Sequence, residues 1–329
     1  MARVVEFHEI GGPDVLRIVE IPTPIPGPGE VRIRVKAIGL NRAEIMYREG
    51  TYGSMPRLPA RLGYEAAGEV DAVGADVSTL RLGDHVSVVP AFSFSEYGLY
   101  GDLVLAPARA VVKHPENLSW EEAAATWMQY GAAWGPLVEI AKLGKGDQVL
   151  LPAAASSVGL AAVQIANYVG ATPIAVTRNR AKVPGLKEAG AAEVIVMGEE
   201  DIVAAVMRLT DGKGVRVIFD PVGGPVFPKL VEATALGGII LIYGALSPEV
   251  TPLPMLKVLS KQLTISGFGL SGVMRNPDKL AAMTAFVVKG LATGALRPKI
   301  ARTFSFEEIV EAHRYMESNE QIGKVVVTI

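Results

Sequence analysis

The sequence has 329 residues, half of them apolar, and a formal net charge of −2. This length is more than one hydrophobic core usually serves, so we expect two domains. Without long runs of one charge sign, no nucleic-acid-binding surface is expected. The chain has no cysteine and four histidines, which excludes disulfides and thiolate zinc sites and is compatible with a cytoplasmic location. Neither a secretory signal nor a membrane-spanning stretch of roughly 20 apolar residues is visible.

The first 115 or so residues are predicted to be rich in β-structure. Alternating apolar residues predict a strand with one buried face over Val31–Ile38. Further strands are predicted at Gly68–Val73 and Asp84–Val89, separated by glycine and proline turns. A short helix is predicted over Arg42–Arg48.

Helices and strands alternate from about Trp120 onwards. Strands are predicted at Gln148–Leu151, Pro173–Thr177, Glu193–Met197, Val215–Phe219, Ile239–Tyr243 and Leu263–Phe268. Helices are predicted at Glu121–Val138, Ser157–Val169, Ala181–Ala189, Asp201–Leu209 and Val226–Ala235. Because short loops join successive strands through helices, we expect a doubly wound parallel sheet.

The C-terminal part returns to mixed structure. Helices are predicted at Asp278–Thr293 and Phe306–Ser318, followed by a last strand at Lys324–Ile329. We therefore predict an α/β protein with a discontinuous first domain, residues 1–122 and 266–329. A cofactor domain, residues 123–265, is inserted between the two segments.

The turn after the strand Gln148–Leu151 is a candidate phosphate-binding loop. Small residues run through Ala153–Gly159 and open a helix, whose first N–H groups and dipole favour an anion. Only the last glycine of the G-x-G-x-x-G fingerprint remains, so the motif alone is weak. Its position at the start of a βαβ series favours a dinucleotide site formed by Ser156, Ser157, Val158 and Gly159. The alternative is an ordinary alanine-rich turn capped by Ser157.

The segment after the next strand indicates which dinucleotide is bound. NAD enzymes tend to place a carboxylate there to accept from the ribose 2′-hydroxyl. This chain has instead Thr177, Arg178, Asn179, Arg180 and Lys182, which suit a 2′-phosphate. A solvated basic helix start is the alternative, although basic residues there oppose the helix dipole. We therefore predict NADPH rather than NADH.

The chain resembles the zinc-free quinone oxidoreductase branch (zeta-crystallin-like) of the medium-chain dehydrogenase/reductase superfamily. The resemblance spans nearly the whole chain and rests on several motifs: Gly39–Asn41, Arg48–Tyr52, Gly63–Gly68, Gly74, Gly83–Asp84, Ala153–Gly159, Asp220–Gly224, Tyr243–Gly244 and Gly323–Lys324. It implies a GroES-like catalytic domain beside a Rossmann-type cofactor domain. It also implies a homodimer formed by edge-to-edge pairing, for which Lys324–Ile329 and the strand near Leu263 are candidates.

The resemblance further implies what this chain lacks and which residues contact the cofactor. Zinc alcohol dehydrogenases of the superfamily carry a cysteine ligand near position 40 and a Gly-His-Glu motif. Here Asn41 lies in the first region and Tyr64 replaces the histidine, so no metal is expected. The implied cofactor contacts are Asn41, Gln129, Val222, Gly223, Tyr243, Gly244, Ala245, Leu246, Phe268, Gly269, Leu270 and Lys324. Ala132 stands where related enoyl reductases often have a threonine.

The expected reaction is hydride transfer to the β-carbon of an enone or to a quinone ring. Negative charge then develops on the substrate oxygen, and positioned donors stabilise it. Asn41 and Tyr52 are the first candidates, with Tyr47 and Tyr64 in reserve. Asn41 could instead only cap its helix, and Tyr52 could be a packed aromatic residue.

Three classes of function are therefore open. The first is an NADPH-dependent reductase of a small apolar quinone or α,β-unsaturated carbonyl compound. The second is a 2-enoyl thioester reductase acting on a CoA- or carrier-bound chain. The third is a non-catalytic NADPH-binding protein.

Overall fold

The structure, a computed structural model, describes residues 1–329. It divides into two compact units, and each is described separately. The first unit comprises Met1–Met128 and Pro298–Ile329, and the second comprises Gln129–Arg297. None of the helices combines the length and apolarity that a bilayer crossing requires.

Strands occur throughout the chain. In chain order they are β1 (Ala2–Phe7), β2 (Arg17–Ile21), β3 (Glu30–Gly39), β4 (Ala60–Arg61), β5 (Glu65–Val73), β6 (His85–Val88), β7 (Leu103–Pro107), β8 (Val111–Lys113), β9 (Gln148–Leu151), β10 (Thr172–Thr177), β11 (Glu193–Val196), β12 (Val215–Asp220), β13 (Thr234–Ile242), β14 (Thr264–Gly267), β15 (Ile300–Ser305) and β16 (Lys324–Thr328).

The helices are concentrated in the second half of the chain. In chain order they are α1 (Arg42–Arg48), α2 (Trp120–Ala124), α3 (Trp127–Trp134), α4 (Ser157–Tyr168), α5 (Val183–Glu188), α6 (Ile202–Leu209), α7 (Phe227–Ala233), α8 (Met255–Ser260), α9 (Ser271–Met274), α10 (Pro277–Ala292) and α11 (Ile309–Ser318). A π-helical segment, Gly135–Ile140, follows α3 directly.

The first unit is built on a sheet in the order β15-β16-β3-β5-β6-β8, with β7 also paired to β3. Its register places Gly39 of β3 opposite Glu65 of β5 and Val326 of β16. The ends of three distant chain segments therefore meet beside Gly39. Because β16 lies between β15 and β3, it has no free edge, and the expectation that Lys324–Ile329 pairs across subunits is wrong.

The second unit contains a six-stranded sheet in the order β11-β10-β9-β12-β13-β14, in which every pairing is parallel. The predicted parallel sheet is confirmed, and its strand order is that of a Rossmann-type fold. Leu150, Ile174, Ile218 and Ile240 from its strands pack with helix residues such as Phe227 in one core. The carboxyl ends of β9, β10, β12 and β13 therefore lie along one edge, where such folds bind ligands.

The predicted helix Glu121–Val138 is interrupted in the structure. Ser119 and Glu122 form a capping box that starts α2, and the helix ends at Ala124. A new helix, α3, begins at Trp127. The indole N–H of Trp127 donates to Ser87 at 2.7 Å and the N–H of Met128 donates to Glu65 at 3.0 Å. These contacts with the β-sheet are tertiary, so helical periodicity could not reveal the break.

The boundaries between the units also differ from the predicted ones. Residues 266–297 lie in the second unit rather than the first. A Cβ atom at Gly131 of α3 would approach Leu270, Met274 and Met283 within 3.2 Å. The absent side chain thus lets α9 and α10 pack closely on α3, which keeps this segment with the cofactor unit.

A chain of buried polar groups crosses the interior of the first unit. Arg48 donates to Nδ1 of His313 at 2.8 Å, and Nε2 of His313 lies 3.3 Å from the Tyr100 hydroxyl. That hydroxyl donates to Glu44 at 2.7 Å. Because Arg48 can only donate, Nδ1 of His313 must accept, and the ring proton lies on Nε2. Glu317 accepts from the other end of Arg48 at 2.7 Å.

This arrangement predicts an acid-sensitive contribution of His313 to stability. Burial, and then the Arg48 guanidinium, lower the pKa of His313 from 6.5 to about 3. Between these pH values the unfolded chain binds a proton that the folded chain does not bind. The free energy of unfolding therefore decreases as the pH falls from 6.5 towards 3. The limiting slope is about 1.4 kcal/mol per pH unit.

The measurement is the unfolding free energy of wild type and His313→Gln in urea across this pH range. The wild type should be more stable at pH 7, and the difference should shrink as the pH falls. His8→Gln, at an exposed histidine, should parallel the wild type. A difference between wild type and His313→Gln that is constant with pH contradicts the prediction.

Candidate functional site

The candidate residues of the first unit are centred on a buried lysine. Lys324 is 1% exposed, and its ammonium group forms an ion pair with the carboxylate of Glu65. It also donates to Oδ1 of Asn41 at 2.6 Å. Asn41 donates through Nδ2 to the Gly39 carbonyl at 3.1 Å. The cation therefore fixes the orientation of the Asn41 amide and polarises it, which makes its remaining N–H a stronger donor.

Glu44 positions the backbone around this group. Its carboxylate accepts from the N–H groups of Asn41 at 2.6 Å and of Tyr64 at 2.9 Å. Burial raises the pKa of Glu44 to about 7, against the opposing effects of Tyr100, the backbone donors and Lys324. Asn41 is the N-cap residue of α1 and forms a capping box with Glu44. Its amide oxygen also accepts from Lys324, so capping alone does not account for the residue.

The structure brings the three candidate tyrosines together around Phe94. The Phe94 ring stacks between Tyr64 and Tyr47, with centroid distances of 3.7 and 4.7 Å. Tyr52 meets Phe94 edge-on at 5.9 Å. Burial, followed by interaction with the Tyr52 hydroxyl, raises the pKa of Tyr64 far above its usual range. Tyr64 therefore remains protonated at neutral pH and is able to donate a hydrogen bond.

In the second unit, the turn between β9 and α4 has the features of a phosphate loop. Ser156, rather than Ser157, is the N-cap, and its hydroxyl accepts from the N–H of Gly159 at 3.1 Å. A Cβ atom at Gly159 would lie 2.5 Å from the carbonyl oxygen of Ala154. The remaining glycine is therefore required where the first turn of α4 packs on the turn residue Ala154. Ser157 and Val158 begin the helix, where N–H groups lack helical acceptors.

Two further turns lie at the ends of β12 and β13. Asp220 is buried and accepts from the N–H groups of Val222 at 2.9 Å and Gly223 at 3.0 Å. Gly223 has a φ of +64°, a conformation that favours glycine. Tyr243 stacks on Phe219 at 3.8 Å. Its pKa is raised by burial and by Asp220, and it hydrogen-bonds with Ser156, the N-cap residue of α4.

The basic segment after β10 contains one feature that the sequence did not predict. Asn179 caps the turn that follows it by accepting from the N–H of Ala181 at 2.9 Å. Arg178 and Arg180 are exposed, as expected for a ligand-binding cation. Arg180, however, donates through Nε to both carboxylate oxygens of Glu199, at 2.9 and 2.6 Å. Thr177 is buried at the end of the strand, and its hydroxyl accepts from the N–H of Asn179 at 3.2 Å.

The remaining predicted cofactor residues all lie in the second unit. Gln129 is buried in α3. The N–H of Leu246 donates to the Pro221 carbonyl at 2.9 Å, which holds the Gly244–Leu246 segment beside the end of β12. Phe268 follows β14 directly, and a Cβ atom at Gly135 would lie 2.3 Å from its ring. Gly269 and Leu270 continue from it.

The sequence did not single out Glu44, Glu65, Phe94 or Glu199. Glu65 is the only charged residue of the Gly63–Gly68 motif, which was a usable signal. Phe94 belongs to a segment with four aromatic residues between positions 92 and 100, which indicated an aromatic cluster. Glu44 stands three residues after Asn41, at the spacing of a capping box. Nothing local identified Glu199, because its partner comes from another element.

Two family models match separate parts of the chain. The alcohol dehydrogenase GroES-like domain matches residues 27–116, and a domain described as zinc-binding dehydrogenase matches residues 157–289. The residues present do not fit a zinc ion. The chain has no cysteine, and nowhere do three or more histidine, aspartate or glutamate side chains converge. Where a metal would be held near Asn41 and Glu65, the Lys324 ammonium makes the contacts.

Full-length relatives are similar over both units. A quinone oxidoreductase of Pseudomonas aeruginosa is 32% identical over 99% of both chains. The crystal structure of Escherichia coli quinone oxidoreductase complexed with NADPH has a TM-score of 0.89 and 30% identity over all of both chains. A solved NAD-dependent alcohol dehydrogenase has a TM-score of 0.90 and 33% identity over 99% of both chains. The chain therefore belongs to the quinone oxidoreductase branch of the medium-chain dehydrogenase/reductase superfamily of oxidoreductases.

Proposed function

We propose that this oxidoreductase binds NADPH and reduces a quinone or α,β-unsaturated carbonyl compound without zinc. The observation that carries the proposal is the turn from Ala153 to Gly159. There, Ser156 caps the helix α4, and Gly159 in the first turn of that helix packs against the backbone of Ala154. Such a helix start binds a pyrophosphate. The E. coli relative solved with NADPH supports the choice of cofactor.

The cofactor, when bound, supplies a hydride. The residues of this chain would hold it through the N–H groups at the start of α4, the Asp220-fixed turn with Gly223, and the basic segment with Arg178. The missing side chains at Gly159 and Gly223 let the two turns pack closely on neighbouring residues of the chain. A Cβ atom would lie 2.5 Å from Ala154 and 2.8 Å from Thr251, respectively. The residues present thus fit a dinucleotide phosphate.

The polar groups of the first unit would stabilise charge on the substrate oxygen. Asn41 has one amide hydrogen beyond the bond to Gly39, and Lys324 polarises it. Tyr52 and Tyr64 offer hydroxyl donors that interact with each other. A buried cation paired with Glu65 replaces a Lewis acid as the source of positive potential. The cluster of aromatic rings around Phe94 suits a planar, apolar substrate.

The proposed function first predicts how a substitution changes the choice between NADPH and NADH. Arg178→Ala should weaken NADPH binding by on the order of tenfold, because a charge-assisted contact with the 2′-phosphate is lost. NADH binding should be unchanged. The measurement is quenching of protein fluorescence by each nucleotide. Arg208→Ala, at another exposed cation of this unit, serves as control. Equal weakening of NADPH and NADH rejects the 2′-phosphate role.

The proposed function also predicts how the substrate oxygen is protonated. Tyr52→Phe should lower kcat with an enone by on the order of 10²-fold, since a proton donor is lost. Quinone reduction should be affected less, because water is able to protonate the product. Tyr97→Phe is the matched control, since that hydroxyl donates to Glu30 at 2.7 Å. Unchanged enone turnover in Tyr52→Phe would show that this tyrosine only packs.

We also propose that the chain forms a homodimer through the free edge of β14. The helix just before this strand, α8, and the loop before it expose apolar residues: Val250, Leu253, Met255, Leu256 and Leu259 are 47–86% exposed. In a two-fold arrangement, the β14 edge of one copy would pair with the β14 edge of the other, and the two apolar α8 helices would pack together. A second copy of the chain would therefore cover both features at once.

The dimer is tested by sedimentation equilibrium at micromolar concentration. The wild type should be a dimer, and the double variant Leu256→Glu/Leu259→Glu should be a monomer. Leu82→Glu, at a residue of the first unit that is 69% exposed, should remain a dimer. A monomeric wild type, or a double variant that still dimerises, contradicts the proposal.

A further inference from the structure

The ion pair between Arg180 and Glu199 bears on cofactor preference. It lies where the ends of β10 and β11 meet, since the N–H of Met197 donates to the Thr177 carbonyl at 2.8 Å. The loop from Gly198 to Glu200 therefore runs beside the basic segment that follows Thr177. Arg180 donates to both oxygens of Glu199 through Nε, and again through Nη2. The guanidinium thus presents its fork to a carboxylate of the same chain.

This pairing changes how the basic segment is interpreted. A 2′-phosphate needs the same guanidinium fork, because bidentate hydrogen bonding is how arginine recognises both carboxylate and phosphate. The two anions therefore compete for the Nε and Nη2 donors of Arg180. Both partners are exposed, with side-chain exposures of 71% and 41%. Exposed pairs are weak in water, so a dianionic phosphate is able to displace the carboxylate, but at a cost in affinity.

Both groups are ionised at neutral pH. Glu199 raises the pKa of Arg180, and Arg180 lowers the pKa of Glu199. Glu199 therefore carries a full negative charge beside the expected phosphate position. Solved relatives of nearly equal similarity are described as complexed with NADPH in one case and as NAD-dependent in another. Proteins of this fold are thus described with either cofactor.

We propose that Glu199 is a specificity-determining residue that competes with the cofactor 2′-phosphate for Arg180 and so weakens the preference for NADPH over NADH. The inference rests on the proposed NADPH site and names a regulator of that site. It predicts that removing the Glu199 charge strengthens binding of the 2′-phosphate. Binding of ligands without that phosphate should not change.

The experiment uses two probes that contain only the adenosine half of the cofactor. Adenosine 2′,5′-bisphosphate carries the 2′-phosphate, and adenosine 5′-monophosphate lacks it. Isothermal titration of the full chain at low ionic strength gives both dissociation constants. Glu199→Gln should bind the bisphosphate about fivefold more tightly, as expected for release of an exposed pair, and the monophosphate as the wild type does. Raising the salt concentration should reduce the gain.

Two further variants isolate the pairwise effect. Glu200→Gln removes the same charge one residue away, where the carboxylate pairs with Arg208 at 3.3 Å, and should change bisphosphate affinity much less. In an Arg180→Ala background, Glu199→Gln should lose its effect, because a double-mutant cycle reports only the coupling of the two residues. A gain that persists without Arg180 overturns the competition.

The outcomes separate this inference from the proposed function. If the wild type binds the bisphosphate more tightly than the monophosphate, the NADPH site stands. An unchanged or weaker bisphosphate affinity in Glu199→Gln then overturns the inference alone. If neither the wild type nor Glu199→Gln binds the bisphosphate more tightly than the monophosphate, the 2′-phosphate site itself is rejected, and the role of Glu199 is rejected with it.

Discussion

The ammonium group of Lys324 lies buried between the carboxylate of Glu65 and the amide oxygen of Asn41, and the rest of the first unit is arranged around this contact. It joins the last strand, the strand β5 and the start of α1. A buried ion pair is not in itself stabilising, because desolvation offsets the attraction. Removing one partner, however, leaves an uncompensated buried charge and typically costs about 3–5 kcal/mol. The three segments are therefore held in one register.

The same contact links architecture to chemistry. Asn41 is immobilised on one side by Lys324 and on the other by the Glu44 carboxylate, which also holds the backbone of Tyr64. Behind Glu44, the hydrogen bonds continue through Tyr100 and His313 to Arg48. Each of these groups is buried and each has a partner, so little reorganisation is available to them. Preorganised donors of this kind stabilise developing charge without a rearrangement during the reaction.

The parallel-sheet unit has a different role in the proposed function, in which its backbone N–H groups hold an anion. Gly159 allows the start of α4 to pack on the turn at Ala154, and Asp220 holds the turn at the end of β12. Tyr243 connects the two through its contact with Ser156. In the proposed function, affinity for a phosphate would come from this backbone geometry, and discrimination between NADPH and NADH would depend on exposed side chains such as Arg178 and Arg180. Because different residues contribute to affinity and to discrimination, we expect substitutions to change the two separately.

The sequence by itself determined the alternation of strands and helices, because hydrophobic periodicity is a local property. It predicted the parallel sheet and the helix α4. Composition alone excluded thiolate zinc ligands. The candidate residues Asn41, Tyr52 and Tyr64 were likewise found from motifs, although motifs did not reveal what holds them.

Only the tertiary structure decided which of these residues act on one another. Lys324 and Glu65 are separated by 259 positions, and Arg48 and His313 by 265, so no local pattern could pair them. The break between α2 and α3 and the placement of residues 266–297 with the cofactor unit also depend on packing between distant segments. Arg180 shows most clearly that a contact can depend on tertiary structure. Its sequence neighbourhood indicated an arginine free to bind a phosphate, whereas the loop after β11 supplies a carboxylate that pairs with it.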